Sequence, residues 1–302
     1  MKLCLVGCGR WGKIYLKTIQ KMNSINVDWV VLRKSIPEID GNYNYTYDLD
    51  KLLQDKKIDG ALIVTPPKTH FKLAKICIKH RVPVLIEKPF TTSYKQSKLL
   101  NKEFNKHKLL CMVGYQHLFS EKHKMSKKET LKRGSIKNIN SITISNGPLR
   151  KDISVVRDWG SHEVAIALDL FEEFPKTMKI KKIKNNFTNN YKGLFSLQMK
   201  FSNKRQFNSI FGNQSIIKKN QLIIEYDDGL IFQDNLDQSG NVVISNNSFI
   251  DINKMKKIYP LSLESTLKVF QKKIKNNSLS SNIELSVMVN KILDQLDSKL
   301  LN

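Results

Sequence analysis

The residues best placed to do chemistry are a lysine and a carboxylate with its histidine. Lys88 stands in Glu87-Lys88-Pro89 directly after the apolar run VPVLI, and Asp158 and His162 stand four apart in RDWGSHEV, where an apolar helix begins. Chemistry that takes a proton from a hydroxyl needs a base with a pKa near neutrality. Histidine meets that need. Residues four apart at a helix start project to the same side, which lets Asp158 orient the ring and stabilise its protonated form. The positive end of the helix pulls the histidine pKa the other way. Lys88 would hold the developing alkoxide electrostatically or share the proton. The same spacing also suits an ordinary helix cap, with Asp158 or Ser161 on the backbone amides and His162 packed beside Trp159.

A second constellation concerns a dinucleotide. Gly7-Cys8-Gly9-Arg10-Trp11-Gly12 matches G-x-G-x-x-G between an N-terminal apolar strand and a helix. In that context Gly7 makes the tight turn, Gly9 lets the backbone approach a pyrophosphate and Gly12 permits close helix packing, while Arg10 and Trp11 open the helix whose amides hold the phosphates. About twenty residues on, where NAD sites place an acid on the ribose 2′-hydroxyl, the chain has Arg33, Lys34 and Ser35 instead. These would welcome a 2′-phosphate, so NADP(H) is expected over NAD(H), with NAD(H) possible. Thr65-Pro66-Pro67 with His70 follows the strand GALIV, and Glu87-Lys88 follows VPVLI. Carboxyl ends of parallel strands form the ligand crevice, so Thr65, Pro66, Glu87 and Lys88 are expected at the nicotinamide end of the cofactor, where His70 either joins them or only terminates the strand.

The elements that must position these residues follow from periodicity. Short apolar runs alternate with amphipathic stretches over roughly the first 115 residues, the signature of βαβ units. KLCLVG, VDWVVL, GALIVTP, VPVLIEKP and LLCMVGY read as strands, separated by helices such as GKIYLKTIQKM and THFKLAKICIKHR. The expected fold is α/β, with a doubly wound parallel sheet over 1–117. Beyond it the strands lengthen: INSITIS, YKGLFSLQMKFS, RQFNSIFG and NQLIIEYDDGLIFQD read as antiparallel, the last folding back at Asp227-Asp228-Gly229. One helix near Ser161–Phe171 and two closing helices complete an α+β domain over 118–302, built on a large, mostly antiparallel sheet. The polar stretch KHKMSKKETLKRG reads as a mobile surface segment.

Composition narrows the function. At 302 residues and 40% hydrophobic content the chain can bury a substantial core. No apolar run reaches the ~18 residues of a membrane span, and the N-terminus turns to glycine too soon for a signal peptide, so a cytoplasmic protein is expected. Cys4, Cys8, Cys77 and Cys111 form no Cys-x-x-Cys pair, so neither a zinc site nor a thiol-redox motif is expected, and no metal is implied. The net charge of +24 raises the question of nucleic acid, but only seven of the 51 basic residues are arginine. Base readout favours the bidentate guanidinium, and the lysines are scattered through every segment, so nucleic acid is not an expected partner.

GCGRWG, TPPKTH, LIEKPFTTS and DWGSHE together resemble the Gfo/Idh/MocA family of nicotinamide-dependent sugar and polyol dehydrogenases, and the resemblance extends over essentially the whole chain. It implies that Lys88 contacts the substrate hydroxyl beside a cis Pro89, and that Asp158 and His162 complete the catalytic group. Tyr115, Gln116 and His117 after the last strand, with Arg150 and Trp159, are expected to line the substrate side; an arginine there could grip a phosphate or carboxylate. The DWG form and the preceding GYQHLF resemble members of surface-polysaccharide or nucleotide-sugar pathways. The implied activity is hydride transfer between NADP(H) and a secondary alcohol or ketone of a sugar or nucleotide sugar. A polyol dehydrogenase of inositol type and a non-catalytic NADP(H)-sensing regulator are the alternatives. The resemblance also implies a homodimer or homotetramer formed through the second sheet.

Overall fold

The computed structural model describes all residues except 35–38, 185–190, 237–240, 246–247, 251–261 and 302. Two compact units emerge, Met1–Gln116 with Ser262–Asn290, and His117–Leu261 with Lys291–Asn302. The first passage between them falls at Gln116/His117. A single boundary there does not capture the return of residues 262–290 to the first unit.

The first unit runs β1 (Lys2–Val6), α1 (Arg10–Gln20), β2 (Asn26–Val31), β3 (Asn44–Thr46), α2 (Leu49–Asp55), β4 (Gly60–Ile63), α3 (Pro67–Lys79), β5 (Val84–Ile86), α4 (Tyr94–Lys106) and β6 (Cys111–Val113). Its six strands lie in the order β3-β2-β1-β4-β5-β6, all parallel. Leu5, Leu62 and Ile86 on its central strands are fully buried, as a sheet covered on both faces requires. The order reverses direction between β1 and β4, where such a sheet opens its crevice.

The second unit runs α5 (Glu121–Arg133), β7 (Asn138–Asn146), α6 (Val155–Asp158), α7 (Gly160–Phe171), β8 (Thr177–Lys184), β9 (Leu194–Lys200), β10 (Gln206–Gly212), β11 (Gln214–Tyr226), β12 (Gly229–Asp234), β13 (Asn241–Ser245) and β14 (Ser248–Ile250). The strands form one sheet ordered β14-β13-β12-β11-β7-β10-β9-β8. It is antiparallel except at its centre, where β10 runs parallel to β7, so the mostly antiparallel sheet expected is present; a long connection, not a hairpin, joins those two strands. The β11–β12 hairpin turns at Asp227-Asp228, pairing Tyr226 with Gly229 as expected. One sheet face carries α7: Phe211 comes within 3.0 Å of where a Cβ on Gly160 would stand, so only glycine lets the helix start this close to the strands.

The stretch expected to be mobile is instead helix α5. Ser120 caps it by accepting from His123 N, and its polar residues are paired: Lys122 Nζ donates to Asp234 O at 2.7 Å and His123 Nε2 lies 2.6 Å from Asp169 Oδ2. Polarity there marks buried partners rather than solvent. Two helices end the chain, α8 (Ser262–Lys275) and α9 (Ile283–Leu301). Between them Asn282 closes the β6 edge, accepting from Val113 N at 2.9 Å and donating to Val113 O at 2.8 Å.

Candidate active site

The glycine turn has the geometry that a phosphate needs. Gly7 adopts φ +95, and a Cβ on it would lie 2.6 Å from Val64 O at the end of β4, so no other residue fits the turn. A Cβ on Gly12 would lie 2.4 Å from Gly7 O, which fixes α1 tightly against the turn. Gly9 is the reverse case: nothing stands within 4 Å of its missing Cβ. Its backbone is therefore open to close approach, and it caps α1 without a side-chain bond. Arg10 and Trp11 are exposed on the first turn, and Arg33 and Lys34 are exposed beyond β2. Ser35 lies outside the described residues.

Lys88 is positioned by its neighbours. The Lys88–Pro89 peptide is cis. Before it, the Glu87 carboxylate is buried and accepts three bonds: Tyr15 hydroxyl on Oε1 at 2.6 Å, Gln116 Nε2 on Oε1 at 3.0 Å and Lys88 N on Oε2 at 3.1 Å. Burial pushes the Glu87 carboxyl above its ordinary range, and the Tyr15 bond, the Lys88 charge and the Gln116 bond pull it part of the way back. Gly114 leaves room for this clamp, since a Cβ there would meet Glu87 Oε1 at 3.3 Å. Thus α1, β5 and the segment after β6 converge on one carboxylate, and the backbone that carries Lys88 is held from three sides. Thr65 and Pro66 end the neighbouring strand at the surface, where Thr69 Oγ1 donates to Thr65 Oγ1 at 2.7 Å.

In the second unit the DWG segment is a helix junction. Ser154 caps α6 by accepting from Arg157 N, and Arg157 is itself tied to Asp294 and Asp297 at 2.7 and 2.5 Å. Asp158 is not the cap: its Oδ1 receives Arg150 Nη1 at 3.3 Å. Arg150 also donates through Nη2 to Asp152 at 2.8 Å. Burial lowers the guanidinium pKa, but the two carboxylates more than offset it, and the net direction is up. His162 is half-buried on the first turn of α7, with Nδ1 3.1 Å from Nδ1 of His117. Trp159 links α6 to α7, and its ring fills the space beside Gly147, where a Cβ would come within 3.1 Å.

Residues 1–115 match a family model described as an oxidoreductase family with an NAD-binding Rossmann fold. This stretch is similar to the Rossmann domain of the Gfo/Idh/MocA oxidoreductases. Beyond this domain the likeness is to whole folds. An inositol 2-dehydrogenase of Mycolicibacterium vanbaalenii is 29% identical over 137 residues, covering 43% of this chain and 39% of that protein. The aligned region spans about two-fifths of the length of the curated relatives it matches. A crystal structure of an oxidoreductase from Magnetospirillum magnetotacticum superposes with TM-score 0.84 at 20% identity, covering 97% of this chain and 98% of that one. The UDP-N-acetylglucosamine 3-dehydrogenase of Acidithiobacillus ferrooxidans gives TM-score 0.83 at 16% identity, covering 99% and 97%.

The structure places several of the expected site residues elsewhere than at an open surface. His70 is fully buried, with Nε2 2.8 Å from Thr65 O and Nδ1 3.1 Å from Pro89 O. It has no surface for the cofactor and instead staples the Thr65-Pro66 loop to the Lys88-Pro89 loop. Tyr115 is also fully buried and so cannot line a substrate surface; it packs in the core while the next residue, Gln116, joins the Glu87 clamp. Glu87 is engaged by the same clamp rather than offered to a ligand. Arg150 braces Asp158 and Asp152, ion pairs that the expected phosphate or carboxylate role did not foresee. Tyr15 is the site residue that sequence reading missed. Its only signal is its place three residues after Gly12 on the buried face of α1.

Proposed function

We propose that the chain is an NADP(H)-dependent oxidoreductase acting on a secondary alcohol or ketone of a sugar, and within that class on a nucleotide sugar. The observation that carries the reading is Lys88, set beside a cis proline and held by the Glu87 clamp, in a domain whose family is defined by nicotinamide chemistry. The glycine cradle fits the cofactor, because Gly9 leaves the backbone bare where a pyrophosphate would bind. Arg33 and Lys34, with Ser35, would hold the 2′-phosphate, and Thr65 and Pro66 would flank the nicotinamide. When bound, the nicotinamide supplies the hydride acceptor or donor. The chain's own residues do the rest: His162 takes the hydroxyl proton, Lys88 holds the oxygen as its charge develops, and Asp158, braced by Arg150, supplies negative charge for the imidazolium. Gln116 and Trp159 contribute to substrate selection.

The likeness in fold to the UDP-N-acetylglucosamine dehydrogenase supports the nucleotide-sugar reading. The inositol 2-dehydrogenase relative supports a polyol as the second reading. Cofactor choice is tested by titrating NADPH and NADH against the wild type and an Arg33→Ala/Lys34→Ala variant. Wild type should bind NADPH more tightly by about tenfold or more, the worth of one or two charge-assisted bonds, and the variant should lose that margin. Tighter NADH binding by the wild type would overturn the preference. We also infer a cytoplasmic location, which cell fractionation reads, and a homodimer or homotetramer paired through the second sheet. Among the described residues no helix is long and apolar enough to cross a membrane.

A further inference from the structure

Four groups of the second unit stand in sequence behind the proposed base. His162 Nδ1 lies 3.1 Å from His117 Nδ1, with ring centroids 5.0 Å apart and planes at 67°. His117 in turn meets His123 edge to face, centroids 6.4 Å apart. His123 Nε2 lies 2.6 Å from Asp169 Oδ2, and Lys127 Nζ stands 3.4 Å from the same oxygen. Burial alone would raise the Asp169 carboxyl, but the His123 bond and the Lys127 charge outweigh it and hold it below the usual carboxylate range. Asp169 is therefore an anion at neutral pH, and His123 is fixed by it.

A bond between two Nδ1 atoms constrains both rings. One nitrogen must carry the hydrogen and the other must offer its lone pair, so the tautomers are linked. If His162 donates from Nδ1, its Nε2 carries the lone pair and can accept a proton; His117 then accepts at Nδ1 and carries its own hydrogen on Nε2. The opposite arrangement would leave His162 protonated at Nε2 and unable to act as a base there.

We propose that His117 is a positioning residue that selects the Nδ1–H tautomer of His162. The proposal rests on the base role given to His162 above. In the reaction the substrate O–H bond breaks and its proton goes to His162 Nε2; a bound nicotinamide would supply the acceptor for the hydride that leaves the carbon bearing that hydroxyl. The imidazolium so formed keeps donating through Nδ1 to His117, a charge-assisted bond stronger than the neutral one it replaces. His123, pinned by Asp169, packs its ring against His117 and so limits the angle at which His117 can present its lone pair.

The test reads the tautomer itself and needs no substrate, so it stays informative even if the assigned activity is wrong. Protein labelled with 15N-histidine is examined by long-range 1H–15N correlation at about pH 8, where an unperturbed imidazole is neutral. The His162 signals are assigned by their loss in His162→Gln. Wild type should show His162 protonated at Nδ1 and His117 protonated at Nε2. His117→Phe, which cannot accept a bond, should turn His162 into a mixture of tautomers. His117→Asn, whose carbonyl can replace the Nδ1 lone pair, should restore the Nδ1–H form. With a turned-over substrate, His117→Phe should lower kcat by about tenfold or more, within the range of general-base contributions, with KM nearly unchanged. A wild-type His162 protonated at Nε2, or an unaltered His162 tautomer in His117→Phe, would overturn the proposal. If His117→Phe does not fold, the wild-type tautomer and His117→Asn decide it.

Discussion

Glu163 follows His162 directly, yet it serves the opposite purpose. Its side chain is fully buried and accepts from Ser209 Oγ at 2.6 Å. Burial raises its carboxyl above the ordinary value, and the hydroxyls of Ser209, Ser141 and Thr143 return it only part of the way. A carboxyl whose pKa is higher in the folded state binds more protons there than in the unfolded chain. Stability must therefore fall as pH rises from about 4.3, the unfolded value, towards the folded pKa. Glu163→Gln removes this loss, so its melting temperature should gain on the wild type as pH rises through that window. Thermal melts from about pH 4 to about pH 8 check it; a variant that loses ground to the wild type as pH rises would refute it. At this scale the sequence was most legible where function depends on neighbours along the chain. The turn at Gly7, the close packing at Gly12 and the cis Lys88–Pro89 peptide could be read because each signal is local. Tyr15 on Glu87, 72 residues away, and His117 on His162, 45 residues away, could not. Their meaning is set by a partner that only the fold supplies.

Elements were legible in proportion to their apolar pattern. The central strands of the first sheet are continuous apolar runs, whereas β3 is three half-exposed residues and gives no such signal. β8 (TMKIKKIK) alternates lysine with apolar residues at a sheet edge and so resembles a basic surface stretch. Helix α5 was hidden by its charge, although Ser120 and the buried Lys122, His123 and Ser126 hold it in place. The sheet face away from α7 carries an amide ladder across four strands. Gln198 donates to Asn208, Asn208 to Asn140, and Asn140 to Glu225, at 3.1, 3.3 and 2.9 Å. Ile210 stands half-exposed on this face, and it is the face we propose for pairing. Ile210→Asp should convert a wild-type dimer or tetramer into smaller species in sedimentation velocity, because it places a charge in the interface. A wild type that sediments as a monomer would remove the proposal.

At the scale of the whole molecule, the alternation of pattern predicted two domains, and the contrast between a parallel and a mostly antiparallel sheet is present as read. The return of residues 262–290 to the first unit was not legible, because α8 is a plain amphipathic helix. What it packs on is settled by contacts such as Gln271 Nε2 with Ser24 O at 2.6 Å. The central proposal is that His162 is the base of a nicotinamide-dependent oxidoreductase. It is tested most directly by steady-state turnover of NADP+ with a panel of UDP-sugars and inositols, run on the wild type and on His162→Ala. The account predicts that the wild type reduces NADP+ with a nucleotide sugar. It also predicts that His162→Ala loses about a hundredfold or more of kcat while binding NADPH nearly as well. Wild-type turnover that survives intact in His162→Ala, or NADPH binding with no turnover on any member of the panel, would contradict it.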